Sequence, residues 1–166
     1  MYHTLKEFLD DWKYESDSTI KILSNLTDET LNHKLSAKGR TLGRLAWHIT
    51  AQIGEALNSM GVNFETVNDD ENYPAHVKVI VEKYKSVSDI LIESLSKHWT
   101  DENLKEEVNI YHQTWTKEKV LTSLIKHQIH HRAQMTVLMR QAGLKVPGVY
   151  GPAREEWSAM GMPAQE

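Results

Sequence analysis

The chain has 166 residues, 40% hydrophobic and 25% charged, an ordinary globular composition that points to a single domain over residues 1–166. Lys and Arg number 19 against 23 Asp and Glu, a formal net charge of -4, which argues against broad nucleic-acid binding because that needs a basic face. Cysteine is absent, which excludes disulfides, thiolate zinc sites, iron–sulfur clusters and cysteine nucleophiles; with nine histidines, any transition-metal site must use imidazole and carboxylate.

The first residues, MYHTLKEFLDDWKYE, lack the basic region and unbroken apolar run of a signal peptide. No stretch nears the ~18 apolar residues of a membrane span, so a soluble cytoplasmic protein with no membrane partner is expected. A first helix is expected from about Leu5 to Leu26. Thr4 and Glu7 have capping-box spacing, and Leu5, Phe8, Leu9, Trp12, Ile20 and Leu23 form its apolar stripe. Glu15, Ser16 and Thr19 interrupt that stripe. They imply either a wider groove or solvent at that height, or a polar cavity that they line.

Thr41 is a good N-cap for a second helix reaching about Met60, with Leu42, Leu45, Ile49, Ile53 and Ala56 on its stripe. Residues Gly61 to Tyr73, including Asp69, Asp70 and Glu71, read as a loop. A third helix is expected to begin near Pro74, with Val77, Ile80, Tyr84, Val87, Leu91 and Leu95 facing inward. Thr100 to Trp115 has no clear period and fits a short extended segment around Val108 to Tyr111. Trp99 and Trp115 flank this connection, and Ile110 and Tyr111 lie within it. These are more large apolar groups than a solvated loop needs, so a homodimer is expected, packing over the chain's own bundle being the alternative. A fourth helix runs from Thr116 to about Ala142, with Gly143 as its stop. The tail carries Val146, Tyr150 and Trp157 among its Pro and Gly residues, which predicts an ordered segment.

Four amphipathic helices and no strand pattern of useful length make an all-α four-helix bundle the expected fold. The long connections after the second and third helices leave its topology open.

His127 and His131 are four apart, so their rings stack on one helix face about 40° apart. They fall in the seam Val120, Leu124, His127, His131, Met135, Leu138, where two imidazoles in a dry place each need a partner. Such a pair can offer one ring nitrogen each to a single metal ion. Residue 128 is Gln, so the glutamate base of a zincin is absent. The best third ligand is His48, beside Ile49 on the second helix, provided that helices two and four are neighbours. His130 points about 100° from His131 and suits a supporting role.

Three segments carry a resemblance: Trp47-His48, the run His127-x-x-x-His131-Arg132-x-Gln134, and the tail Val146-Pro147-Gly148-Val149-Tyr150-Gly151-Pro152. The chain resembles the DinB-like (DNA-damage-inducible) family of metal-dependent proteins, related to bacterial thiol S-transferases. That resemblance implies an up-down-down-up four-helix bundle and a metal site at His48, His127 and His131. Family members commonly have Gly where this chain has Ala133; a small residue, suited to close helix packing, is kept.

Three neutral imidazoles would leave a divalent ion, zinc or nickel by imidazole affinity, strongly Lewis acidic and with a vacancy. The expected function is metal-dependent transfer of a low-molecular-weight thiol to an electrophilic small-molecule substrate. The alternatives are a metal-dependent hydrolase and a non-catalytic metal-binding module. Glu15 is a candidate catalytic base if the first helix faces the metal at that height.

Overall fold

The structure is a computed structural model that describes residues 2–65, 67–69, 72–110 and 112–163. Four α-helices dominate it: α1 (Leu5–Leu23), α2 (Leu42–Ser59), α3 (Val77–His98) and α4 (Lys117–Gln141). Their starts follow local chemistry. Thr4 and Glu7 form the expected capping box on α1, and the Thr41 and Thr116 hydroxyls accept the Arg44 and Lys119 N–H groups of α2 and α4. Gly143 ends α4 at φ 78, a backbone region that L side chains disfavour.

α3 begins three residues beyond Pro74, and the reason is a distant carboxylate. Asp28 Oδ1 accepts the Val77 N–H at 2.7 Å while its Oδ2 meets His76 Nδ1 at 2.8 Å, so the cap comes from the α1–α2 connection. Proline therefore precedes the helix rather than opening it.

The expectation of an all-α chain needs correction. Residues Glu107–Ile110 (β1) and Gln113–Thr116 (β2) form an antiparallel hairpin with Val108 opposite Trp115. His112 closes its turn at φ 60, and Thr116 ends β2 while capping α4. The apolar side chains that suggested association pack against this chain's own core: Trp99, Ile110 and Trp115 all do so. Lys117 Nζ lies 4.6 Å from the Trp99 ring centre and Lys119 Nζ 4.1 Å from that of Trp115. Tyr111 is outside the described residues.

Each helix packs against two others, α1 and α2 each contacting both α3 and α4. Phe8, Trp12, Ile22, Leu42, Ile53, Leu91, Leu121 and Met139 fill the space between them. Tyr2 N–H reaches Glu118 and Glu15 reaches Arg132, so α1 and α4 run in one direction. Leu5 N–H reaches Asp101 and Trp12 Nε1 reaches Ser88 Oγ, so α1 and α3 run oppositely. Gln128 is a crossbar: its amide donates to the Ile49 carbonyl on α2 at 2.7 Å and accepts the Tyr84 hydroxyl of α3 at 3.1 Å. Ala133 faces solvent, so packing between helices does not explain its small size. The tail folds back on α1, with Val146 buried, the Tyr14 hydroxyl on the Val149 carbonyl and Lys21 Nζ on the Gly148 carbonyl. Among the described residues, no helix is long and apolar enough to cross a membrane.

Candidate metal centre

The polar interruption of α1 does not face solvent. Glu15, Ser16 and Thr19 are all buried, and Arg132 of α4 fills the space. Its guanidinium lies 2.5 Å from Glu15 Oε2 and donates to the Glu15 carbonyl at 2.9 Å and Thr19 Oγ1 at 3.1 Å. The Tyr150 hydroxyl, from the tail, sits 2.7 and 2.8 Å from the two carboxylate oxygens. Burial and then the Glu15 carboxylate push the Tyr150 phenol up to about 12, so it remains a donor. Glu15, the expected base, thus has both oxygens engaged in an internal ion pair.

Arg132 and His131 are neighbours in sequence and therefore about 100° apart on α4. With Arg132 turned to α1, His131 and His127 turn to α2, where His48 meets them. The three ring nitrogens converge: His127 Nε2 lies 3.2 Å from His48 Nε2 and 3.1 Å from His131 Nε2. All three ligand atoms lie within 4.8 Å of one another. His130 is exposed and outside this cluster.

Two of the three rings are oriented from behind. His48 Nδ1 is 2.6 Å from Asp69 Oδ2, and a carboxylate only accepts, so Nδ1 carries the hydrogen and Nε2 presents its lone pair. His131 Nδ1 is 2.8 Å from Gln134 Oε1, with the same result, and the Gln134 amide donates onward to His130 Nε2 at 3.0 Å. His127 Nε2 therefore faces two lone pairs while its own Nδ1 is buried without a hydrogen-bond partner. A hydrogen on Nε2 can satisfy only one neighbour, and a hydrogen on Nδ1 leaves three lone pairs converging. A cation among them resolves that conflict. Zinc–nitrogen bonds of about 2.0–2.1 Å at tetrahedral angles imply nitrogen separations of about 3.3–3.4 Å, close to those observed. The donor set thus fits a divalent metal.

Burial disfavours the charged form of the two α4 imidazoles. Burial, then the neighbouring His131, His48 and His130 and the Arg40 charge, lower His127 to about 4. Burial, more than the opposing Gln134 hydrogen bond, also lowers His131. Burial pulls Asp69 upward, but the Arg44 and His48 hydrogen bonds outweigh it and hold the carboxyl below its usual value.

Asp69 belongs to the α2–α3 connection, which the α2 face holds in place. Arg44 pairs with the Asp69 carboxylate and donates to its carbonyl at 3.1 Å, and Trp47 Nε1 donates to the Asn68 carbonyl. Tyr73 anchors the far end of the connection, its hydroxyl receiving from Thr41 Oγ1 at 3.0 Å and donating to Asn32 Oδ1 at 2.8 Å. Gly43 is required by this arrangement: a Cβ there would overlap the Tyr73 ring. In the sequence Asp69 is one of several loop acids, and only its contact in space with both Arg44 and His48, one helix turn apart on α2, marks it out. Gln134 follows His131 by three residues, a helical neighbour spacing.

Two cavities flank the cluster. One, of about 310 Å³, has His127 in its wall with Gln52, Glu55 and Ser59 of α2, Asn109 and Trp115 of the hairpin and Ser123 of α4. The other, of about 440 Å³, has His131 and Gln134 in its wall with Leu35, Arg40, Leu45, Val137 and Leu138. Neither includes Glu15. Among the other histidines, His76 pairs with Asp28, and His33 Nε2 is buried without a partner, away from the cluster.

The DinB family model matches residues 1–166. The chain belongs to the DinB family. This DinB chain is 43% identical to the protein YrdA of Bacillus subtilis (strain 168) over 164 residues, 99% of this chain and 98% of YrdA. It is similar to the crystal structure of a DinB-like protein from Bacillus cereus ATCC 10987, with a TM-score of 0.87 and 44% identity, covering 90% of this chain and 100% of that one. A second DinB-like protein, YjoA of Bacillus subtilis, shares the fold with a TM-score of 0.68 at 17% identity, covering 88% of this chain and 98% of YjoA.

Proposed function

We propose that this DinB protein is a metal-dependent transferase that joins a small thiol to an electrophilic small molecule, with His48, His127 and His131 holding the metal. The observation that carries the reading is the pair of cavities opening on one histidine cluster, one at His127 and one at His131. Two reactants need two places; a hydrolase acting on one substrate and water needs one. Zinc or nickel is the proposed ion, on the preference of imidazole ligands. The helix directions support an up-down-down-up bundle.

When bound, a divalent cation supplies Lewis acidity and lowers the pKa of a coordinated thiol. The chain's own residues supply the rest. Asp69 and Gln134 hold two imidazoles in the tautomer that aims Nε2 at the centre. Glu55, Gln52, Ser59 and Ser123 line the His127 cavity with groups that can orient a polar reactant. In the overall reaction the thiol S–H bond breaks, a sulfur–carbon bond forms and the leaving group departs, the proton going to solvent. Glu15 is given no part in it, because its carboxylate is held by Arg132 and Tyr150.

The test is turnover of metal-loaded protein with a panel of cellular thiols and a chloro-dinitrobenzene chromophore, against a His48→Ala control. Thiol-dependent chloride displacement that the control lacks is the expected result. Equal rates in both samples would refute the transferase reading.

A further inference from the structure

The two cavities differ in charge and polarity. The His127 cavity carries an acid, Glu55, among amide and hydroxyl groups. The His131 cavity is walled by Leu35, Leu45, Val137 and Leu138, and its one charged lining residue is Arg40. Arg40 makes no hydrogen bond or ion pair with any described residue, unlike Arg44, Arg132 and Arg140, which each meet a carboxylate. Leu35 is 68% exposed and Val137 56%, large apolar side chains from two different elements left open to water on the walls of one cavity. An unpaired guanidinium beside an apolar hollow is half of a recognition site: it lacks an anion, and the walls lack an apolar body.

We propose that the His131 cavity binds a monocarboxylate with an apolar body, its carboxylate on Arg40 and its chain between Leu35, Leu45, Val137 and Leu138. The volume of about 440 Å³ suits a ligand of this size. The planar guanidinium matches a carboxylate with two parallel hydrogen bonds, which a neutral head group cannot reproduce. Glu55 on the other side repels the same anion, so the opposite charges of the two cavities sort two reactants. That this acid is the electrophile-bearing substrate rests on the transferase reading; that it binds here does not.

The experiment is isothermal titration calorimetry of chelator-treated protein with octanoate and with octanol, its uncharged counterpart. Removing metal prevents a carboxylate on the cation from supplying the signal. Octanoate is expected to bind more tightly than octanol. Arg40→Gln should weaken octanoate by about ten- to a hundredfold, the worth of a charge-assisted contact, and leave octanol within about twofold. Val137→Asp should weaken both. Arg40 and Val137 lie at the surface, so neither change threatens the fold. Equal affinity for the acid and the alcohol, or an Arg40→Gln protein that binds octanoate as the wild type does, would overturn the proposal. So would a Glu55→Gln variant that loses octanoate as Arg40→Gln is expected to. Octanoate binding that follows Arg40 in a protein without thiol transfer would retire the transferase reading alone.

Discussion

Glu15→Gln isolates the buried ion pair, because it keeps the shape of the side chain and removes only its charge. Arg132 is almost fully enclosed, and Glu15 supplies the one carboxylate paired with it among the described residues. In the variant the guanidinium keeps the Glu15 carbonyl and Thr19 Oγ1 as acceptors but loses its counter-charge. Leaving a buried charge uncompensated costs about 3–5 kcal/mol. For a chain of this size that is a fall in melting temperature of roughly 6–20 °C. Replacing both residues, as Glu15→Leu with Arg132→Leu, removes the pair together with its desolvation cost and should restore much or all of that loss. Thermal and urea unfolding of the apoproteins gives both numbers, and metal uptake by the Glu15→Gln protein should match the wild type. If the single change costs under about 1 kcal/mol, or the double variant is no better than the single one, Arg132 is not a buried charge that Glu15 neutralises. If metal content falls with Glu15→Gln while stability holds, Glu15 belongs to the metal centre after all.

The metal centre makes further claims. His127→Ala should remove most bound metal by element analysis, and His130→Ala should not; the reverse outcome would reassign the ligands. Asp69→Asn should weaken metal affinity by about ten- to a hundredfold in a chelator competition, as loss of a supporting carboxylate does elsewhere. Gly43→Ala should weaken it too, without touching any ligand, because the displaced Tyr73 ring carries the Asp69 segment with it; unchanged affinity would separate that segment from the site. His127 titrates near about 4 in the folded apoprotein and His131 below its usual value, so the unfolded chain binds more protons between about pH 6.5 and 4. The stability of the apoprotein should therefore fall as pH drops through that window, and His127→Gln should flatten the slope in urea melts.

What the sequence made legible was local. Thr4, Thr41 and Thr116 announce three helix starts because a cap is decided within four residues, and His127 and His131 announce a shared face because α-helical spacing sets it. The misreadings have long reach. The start of α3 depends on Asp28, far back in the chain. The interruption at Glu15 is meaningful only once Arg132 and Tyr150 lie beside it, 117 and 135 residues away. The extended segment expected near Val108 is β1, but its partner escaped because β2 shows no alternation of buried and exposed residues and the turn uses His112 where a glycine would signal it. Asp69 could not be told from Asp70 or Glu71 until the connection was folded onto α2.

The Glu15–Arg132–Tyr150 group also bears on how the chain finds its fold. Bundles with short loops fold quickly because neighbouring helices dock as they form. Here the buried ion pair of α1 joins residues separated by more than a hundred positions. Closing so long a loop adds little to the equilibrium, about 0.6 kcal/mol for each doubling of length. It weighs on the rate instead. Until α4 and the tail arrive, α1 presents Glu15 and Thr19 to the place where a core should be, so premature docking of α1 on α3 buries polar groups without partners. The same residues that fix the register of α1 should thereby delay it, and late docking of α1 against α4 would show as a low φ-value at Thr19.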